Sequence, residues 1–214
     1  MNVGILGTGD VGKSLGRGFI ALGHSVMMGA RDAANPKATA WVQEAGPKAS
    51  AGTFAQAARA GEVVVLATLG TATEEVLRSV GADAFKGKLV LDATNPLDIS
   101  KGGPRLVGNV GDSAGERHQK LLAGAHVVKT FNTVGNAFFY KPDFPGGPPD
   151  MFICGDDEAA KKTVTEICTE LGWPGAVDIG GLICARYLEP MAMVWISYFF
   201  KTGSGAHALA LLRK

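Results

Sequence analysis

NVGILGTGDVG, residues 2–12, runs directly into KSLGRGFIALG, residues 13–23. The opening six residues form a short apolar run closed by glycine, the pattern of a strand buried in a parallel sheet. Val11, Leu15, Phe19 and Leu22 then recur at helical spacing, and Gly23 suits the end of that helix. HSVMMG (24–29) reads as a second strand, which completes one βαβ unit. Within it, Gly7-Thr8-Gly9-Asp10-Val11-Gly12 matches G-x-G-x-x-G between the strand and the helix. Gly7 permits the tight turn, Gly9 lets backbone approach a pyrophosphate, and Gly12 lets the helix lie close on the strand. The unpaired N–H groups and the positive dipole end at the helix start then face the phosphates. This context predicts a dinucleotide-binding crossover.

The alternation continues outward. Helices are expected at Pro36–Ala45, at Thr53–Ala60 with Thr53 as N-cap, at Thr71–Val80 and at Glu158–Leu171. Strands are expected at Glu62–Thr68, Lys88–Asp92, His126–Phe131, Met151–Gly155 and Ala176–Asp178. Residues 98–118 and 140–150 are rich in Gly, Pro and polar side chains and read as long loops. From Gly181 the chain reads as helical with a break at Pro190. The fold class is therefore α/β, a Rossmann-type doubly wound and mostly parallel sheet with a short helical C-terminal segment. Residues 1–180 form the nucleotide-binding domain, and 181–214 an extension packing on that domain or on a dimer partner.

Composition narrows the function. Apolar residues are 46% of the 214, charged residues 19%, and the formal net charge is +1. Without clustered Lys/Arg there is no nucleic-acid footprint. Cys154, Cys168 and Cys184 are far apart and form no CxxC, so neither a metal site nor a disulfide framework is expected. Free thiols and a strand that begins at residue 2, leaving no room for a leader, point to the cytoplasm. Met191–Phe200 is apolar over ten residues, whereas a membrane span needs about 20. The apolar stretch Leu188–Phe200 suits a sheet-edge cover or a homodimer interface instead.

The end of the second strand reports which dinucleotide is bound. A carboxylate there would accept the ribose hydroxyl of NAD, but the chain reads Gly29-Ala30-Arg31-Asp32. A guanidinium pairs with a 2′-phosphate, and Lys37 adds a second positive charge one helical turn on, so NADP is favoured. Asp32 complicates this, since it could cap the next helix or pair with Arg31.

With these residues placed, the chain resembles the F420-dependent NADP oxidoreductase family and the cytosolic oxidoreductase domain of the STEAP ferric reductases. The resemblance rests on GTGDVG (7–12), GAR (29–31), LDATNPL (91–97) and VVKTFNTVG (127–135), with GDDEAAKKTV (155–164) and LEP (188–190) also fitting. It implies that Thr8, Arg31 and Lys37 hold the 2′-phosphate. Family members often carry Ser or Thr before the arginine; Ala30 here removes one hydroxyl contact. It further implies that the nicotinamide lies against Thr68-Leu69, Asn95-Pro96 and Asn132-Thr133, with the electron acceptor opposite. Ligands of open α/β sheets do bind beyond the carboxyl ends of strands. On the residues alone, Asn95-Pro96 reads equally as a plain turn, and Asn132-Thr133 as the N-cap of a following helix.

The implied reaction passes a hydride between NADPH and a small-molecule acceptor, F420 or a flavin (FMN or FAD), which needs ring alignment rather than a side-chain nucleophile. No catalytic residue is assigned. His24 and His126 start strands and read as structural, while His118 beside the long loop is the histidine to watch. Lys129 reads as pointing to a surface or a carbonyl. Lys101, Arg105, Arg117 and Lys120 could line a basic groove for an acidic acceptor tail, or be solvated loop charges. Two alternatives stay open: a non-enzymatic NADP(H) sensor or interaction protein, and a Rossmann reductase of a small imine or keto substrate.

Overall fold

β1 (Asn2–Leu6), α1 (Asp10–Ala21) and β2 (Ser25–Ala30) form the opening crossover expected from the glycine pattern. The computed structural model describes residues 1–100, 102–108 and 111–214. The chain continues through α2 (Pro36–Ala45), β3 (Ala49–Thr53), α3 (Phe54–Ala60), β4 (Val63–Leu66), α4 (Gly70–Val80) and β5 (Leu89–Asp92). A small hairpin of β6 (Leu97–Asp98) and β7 (Arg105–Leu106) follows, then α5 (Ala114–Leu121) and β8 (His126–Lys129). β9 (Met151–Gly155), α6 (Glu158–Glu170), β10 (Ala176–Asp178) and α7 (Ala185–Thr202) complete it.

The main sheet has the order β10-β9-β8-β5-β4-β1-β2-β3. All neighbours are parallel except β8 and β9. β1 pairs with β2 on one side and β4 on the other, so the winding reverses beside the glycine turn. That reversal opens the crevice in which such sheets hold ligands. The strands at the centre, VVVL in β4 for example, are buried throughout, as a sheet covered on both faces requires. One face packs Leu15, Phe19 and Trp41 of α1 and α2 with Val164 and Ile167 of α6. The other packs Ala57, Leu77 and Leu122 with Leu188 of α7.

Four local expectations change. β3 is an edge strand absent from the sequence reading, because Ala49-Ser50-Ala51-Gly52-Thr53 lacks the β-branched run that marks strands. Thr53 does cap α3, in a reciprocal capping box with Gln56. The stretch 98–118 is not one loop: it holds the hairpin and the start of α5, whose N-cap Ser113 accepts from the Glu116 amide. α7 runs through Pro190 without a break. Proline removes one intrahelical donor there, close enough to the helix start for the remaining turns to hold. Beyond Thr202 the chain is no longer helical; it folds back, with Trp195 Nε1 donating to the His207 carbonyl at 2.8 Å. Asp150 fixes the end of this tail by accepting the Leu211 amide. No helix among the described residues is long and apolar enough to cross a membrane.

Candidate functional site

The glycine turn has the geometry its pattern calls for. Gly7 has φ +132°, and a Cβ there would collide with the Ala67 carbonyl oxygen of the adjoining strand. A Cβ on Gly12 would strike the Gly7 carbonyl. Gly9 differs: it is the N-cap of α1, and a Cβ on it would meet nothing within 4 Å. That open space leaves room for an incoming group to approach the backbone closely. No side chain caps α1, so its first amides remain free for acceptors from outside. The site therefore fits a dinucleotide diphosphate. Thr8 is half-buried beside the turn, Asp10 is exposed in the first helical turn, and Val11 packs onto the core.

At the end of β2, Ala30 is buried while Arg31 and Lys37 are exposed. Asp32 neither caps α2 nor pairs with Arg31: its Oδ1 accepts the Ala34 amide at 2.9 Å. The cap is Asn35, which accepts from the amides of Lys37 and Ala38. Among the described residues no carboxylate pairs with either side chain, so the two cations stand uncommitted on the rim of the crevice.

The other expected residues converge at the carboxyl ends of β4, β5 and β8. Thr68 shares a 2.8 Å hydrogen bond with Thr73, and Leu69 is exposed at the start of α4. A Cβ on Gly70 would collide with the Asn95 carbonyl, so the loops after β4 and β5 touch. Asn132 does not cap a helix. The Asn95 and Asn132 amides interlock instead: Asn95 Nδ2 donates to the Asn132 carbonyl at 2.8 Å, and Asn132 Nδ2 donates to Asn95 Oδ1 at 3.0 Å. Asn132 Nδ2 also reaches the Leu188 carbonyl at 2.9 Å, tying α7 to the strand ends. Pro96 and Thr133 are buried beside this pair. Asn132 Oδ1 is buried and meets no donor among the described residues, an unmet acceptor of the kind that marks ligand sites. The preceding residue, Phe131, has φ +58°, a strained backbone for a bulky side chain.

Directly behind these loops lies a polar cluster that was not foreseen as a unit. Lys129 is fully buried and meets two carboxylates rather than a surface or a carbonyl as expected, with its ammonium 3.1 Å from Asp92 Oδ2 and 2.9 Å from Glu189 Oε1. Asp92 Oδ1 accepts the amide and hydroxyl of Thr94, and its Oδ2 also faces His118 Nδ1 at 2.9 Å. Glu189 accepts the amides of Ala114 and Gly115 at the start of α5. Burial alone would push the Asp92 carboxyl up; Lys129 and His118 outweigh it and hold the group well below the usual carboxylate range. Burial likewise opposes the charge on Lys129, and Asp92 and Glu189 reverse the effect and raise its pKa. Lys129 and His118 were visible as unusual residue types; Glu189 stood out only within LEP (188–190) of the resemblance and with no role attached, since its partners lie 60 to 75 positions away.

Beside this cluster is a cavity of about 480 Å³, with walls that include Val107, Ser113, Arg117, Tyr187 and Glu189. Of the four residues expected to form a basic groove, Arg117 lines it but is committed to Glu74 and Asp112. Arg105 lies in β7, Lys120 is exposed on α5, and Lys101 is outside the described residues.

A family model described as "NADP oxidoreductase coenzyme F420-dependent" matches residues 2–96. Over 212 residues the chain is 31% identical to the F420-dependent NADP reductase of Methanothermobacter marburgensis, covering 94% of this chain and 93% of that one. The chain belongs to the F420-dependent NADP oxidoreductase family. A crystal structure of a candidate F420-dependent NADP reductase from Arthrobacter sp. FB24 superposes with a TM-score of 0.92 at 34% identity, over 99% of each chain. The metalloreductase STEAP3 of Rattus norvegicus is 31% identical over 191 residues, 89% of this chain but 36% of that protein, so the chain spans about a third of its length. Membership of this family makes the protein an NADP-dependent oxidoreductase, and the resemblance read from TNPL and VKTFNT holds.

Proposed function

We propose that the protein binds NADP(H) across the crevice and exchanges hydride between it and a deazaflavin of the F420 type or a flavin. The observation that carries this reading is the pairing of an uncapped α1, open in front of Gly9, with the uncommitted Arg31 at the end of β2. The diphosphate would sit on the amides of residues 9–12, and Thr8, Arg31 and Lys37 would hold the 2′-phosphate. The nicotinamide, which supplies the hydride chemistry when bound, would lie against Thr68-Leu69, Asn95-Pro96 and Asn132-Thr133. There the interlocked amides fix the loop geometry, and Asn132 Oδ1 offers its unmet acceptor to a ligand amide. Pro96, Asn132 and Thr133 would also border the acceptor, whose ring has room in the neighbouring 480 Å³ cavity. Arg117 and Arg186 at that cavity are paired with carboxylates, and the proposed reaction needs only alignment and exclusion of water.

In the same reading, residues 1–180 are the nucleotide domain and 181–214 its extension. Val194, Tyr198 and Phe200 are exposed on α7 and form the contact of a homodimer, which Val194→Asp would convert to monomer in light scattering. Purified protein should oxidise NADPH with F420, FMN or FAD, followed at the nicotinamide absorbance; binding of NADPH without turnover of any of the three would overturn the hydride-transfer reading.

A further inference from the structure

Between Arg31 and Lys37 the chain reads Asp32-Ala33-Ala34-Asn35-Pro36, and Asp32 is the only carboxylate in it. This turn is built rather than slack. Asp32 Oδ1 accepts the Ala34 amide at 2.9 Å, and the Asp32 carbonyl accepts the Asn35 amide at 3.1 Å. Asn35 in turn holds the amides of Lys37 and Ala38. The bond to Ala34 pins the carboxylate against the backbone of the turn, as in other aspartate turns. Asp32 is exposed, as Arg31 and Lys37 are. Among the described residues its carboxylate meets no cation, and its Oδ2 has no partner. One step back, Ala30 is buried and offers a phosphate no hydroxyl.

We infer that Asp32 is a specificity-determining residue: it opposes the 2′-phosphate of NADP(H) and accepts the free 2′-hydroxyl of NAD(H), so that the one crevice takes both nucleotides. The inference rests on the placement proposed above, in which Arg31 and Lys37 hold the 2′-phosphate. A group bound by both lies over the turn that joins them, within the field of that turn's one carboxylate. The Asp32 Cα is one peptide step, about 3.8 Å, from that of Arg31. A phosphate monoester is close to doubly charged above neutrality, and a fixed carboxylate a few ångströms away repels it even in water. The ribose hydroxyl of NAD(H) is instead a donor, which a carboxylate at this strand end accepts. Arg31 and Lys37 keep the phosphate bound, so Asp32 trims the preference for NADP(H) and does not reverse it.

The test needs no acceptor. Calorimetry on the full chain, at about pH 8 where the 2′-phosphate is ionised, would give Kd for NADPH and for NADH in the wild type and in Asp32→Asn. That substitution removes the charge and keeps an oxygen for the Ala34 amide. The Kd for NADPH is expected to fall roughly three- to tenfold, while that for NADH stays level or rises. In about 1 M salt the two proteins should converge on NADPH, because screening removes a charge effect and leaves a change of turn shape in place. Unchanged NADPH affinity, equal tightening of both nucleotides, or a gap that survives the salt would each overturn the inference, as would a wild type that does not bind NADH. Should Asp32→Asn not fold, Asp32→Ser also keeps an acceptor for the amide and carries the same expected sign. Arg31→Ala separates the underlying placement: if it leaves NADPH affinity unchanged, placement and inference both fall. If it weakens NADPH binding while Asp32→Asn has no effect, only the inference falls.

Discussion

The rim at Gly9 and Arg31 and the cluster at Asp92, Lys129, His118 and Glu189 are both polar, both lie at strand ends, and are otherwise opposites. At the rim the donors have no partners of their own: α1 lacks a side-chain cap, and Arg31 and Lys37 are exposed. In the cluster nearly every donor and acceptor is matched within the protein, across four elements and almost without solvent. A polar group left unmatched in water costs little, and an external phosphate can claim it; one left unmatched in the interior is expensive. The rim should therefore respond to substitution in binding, and the cluster in stability.

The largest effect is expected from Lys129→Met. It strands two buried carboxylates and should cost about 3–5 kcal/mol in denaturant unfolding; a cost under about 1 kcal/mol would show that the carboxylates reach water or protonate easily. Next comes Arg31→Ala, which should raise the KM for NADPH by the equivalent of about 1.5–3 kcal/mol. NADH kinetics and the unfolding midpoint should not move, and equal losses for both nucleotides would remove Arg31 from phosphate recognition. Gly9→Ala sharpens the contrast further. Its backbone, φ −78° and ψ −179°, suits any residue, so stability should stay within about 0.5 kcal/mol. Nucleotide affinity should nevertheless fall by about tenfold or more, about 1.4 kcal/mol; intact affinity would mean that the diphosphate does not pass over Gly9.

The smallest effect is in pH. Asp92 has a folded pKa below its unfolded value of 3.8, so its contribution is present above about pH 4 and drains as the medium becomes more acidic. Lys129 is raised above 10.5, so its contribution is complete below that value and fades only as pH climbs through the folded one. Urea midpoints of the wild type minus those of Lys129→Met should thus stay level from about pH 5 to 10. A slope in that difference within the window would show that the carboxylates left without Lys129 take up protons there.

The sequence displayed the rim because its signals are local: three glycines, a strand of Val, Ile and Leu, and an arginine at the next strand end fall within thirty positions. It displayed the central strands for the same reason. β3 was hidden because small residues on an edge strand carry no periodicity, and α5 because Ala114-Gly115 begins it in a glycine-rich neighbourhood. The interlock of Asn95 with Asn132 could be suspected only through the resemblance, since alone the second asparagine looked like a cap. The cluster escaped because Glu189 meets Lys129 and α5 only after the sheet has formed, and an alternation of apolar residues says nothing about which buried charges will face one another.

The bond from Asn132 to the Leu188 carbonyl has a mechanical consequence. One side chain grips two loops and a helix, so the three cannot be displaced separately; a shift in any one drags the others. Across the crevice, Arg31 is exposed on the rim, and α2 begins on the Asn35 cap with Ala38 and Trp41 buried in the core. If the nucleotide lies as proposed, the side of the reacting ring is thus the one cross-linked by this shared side chain.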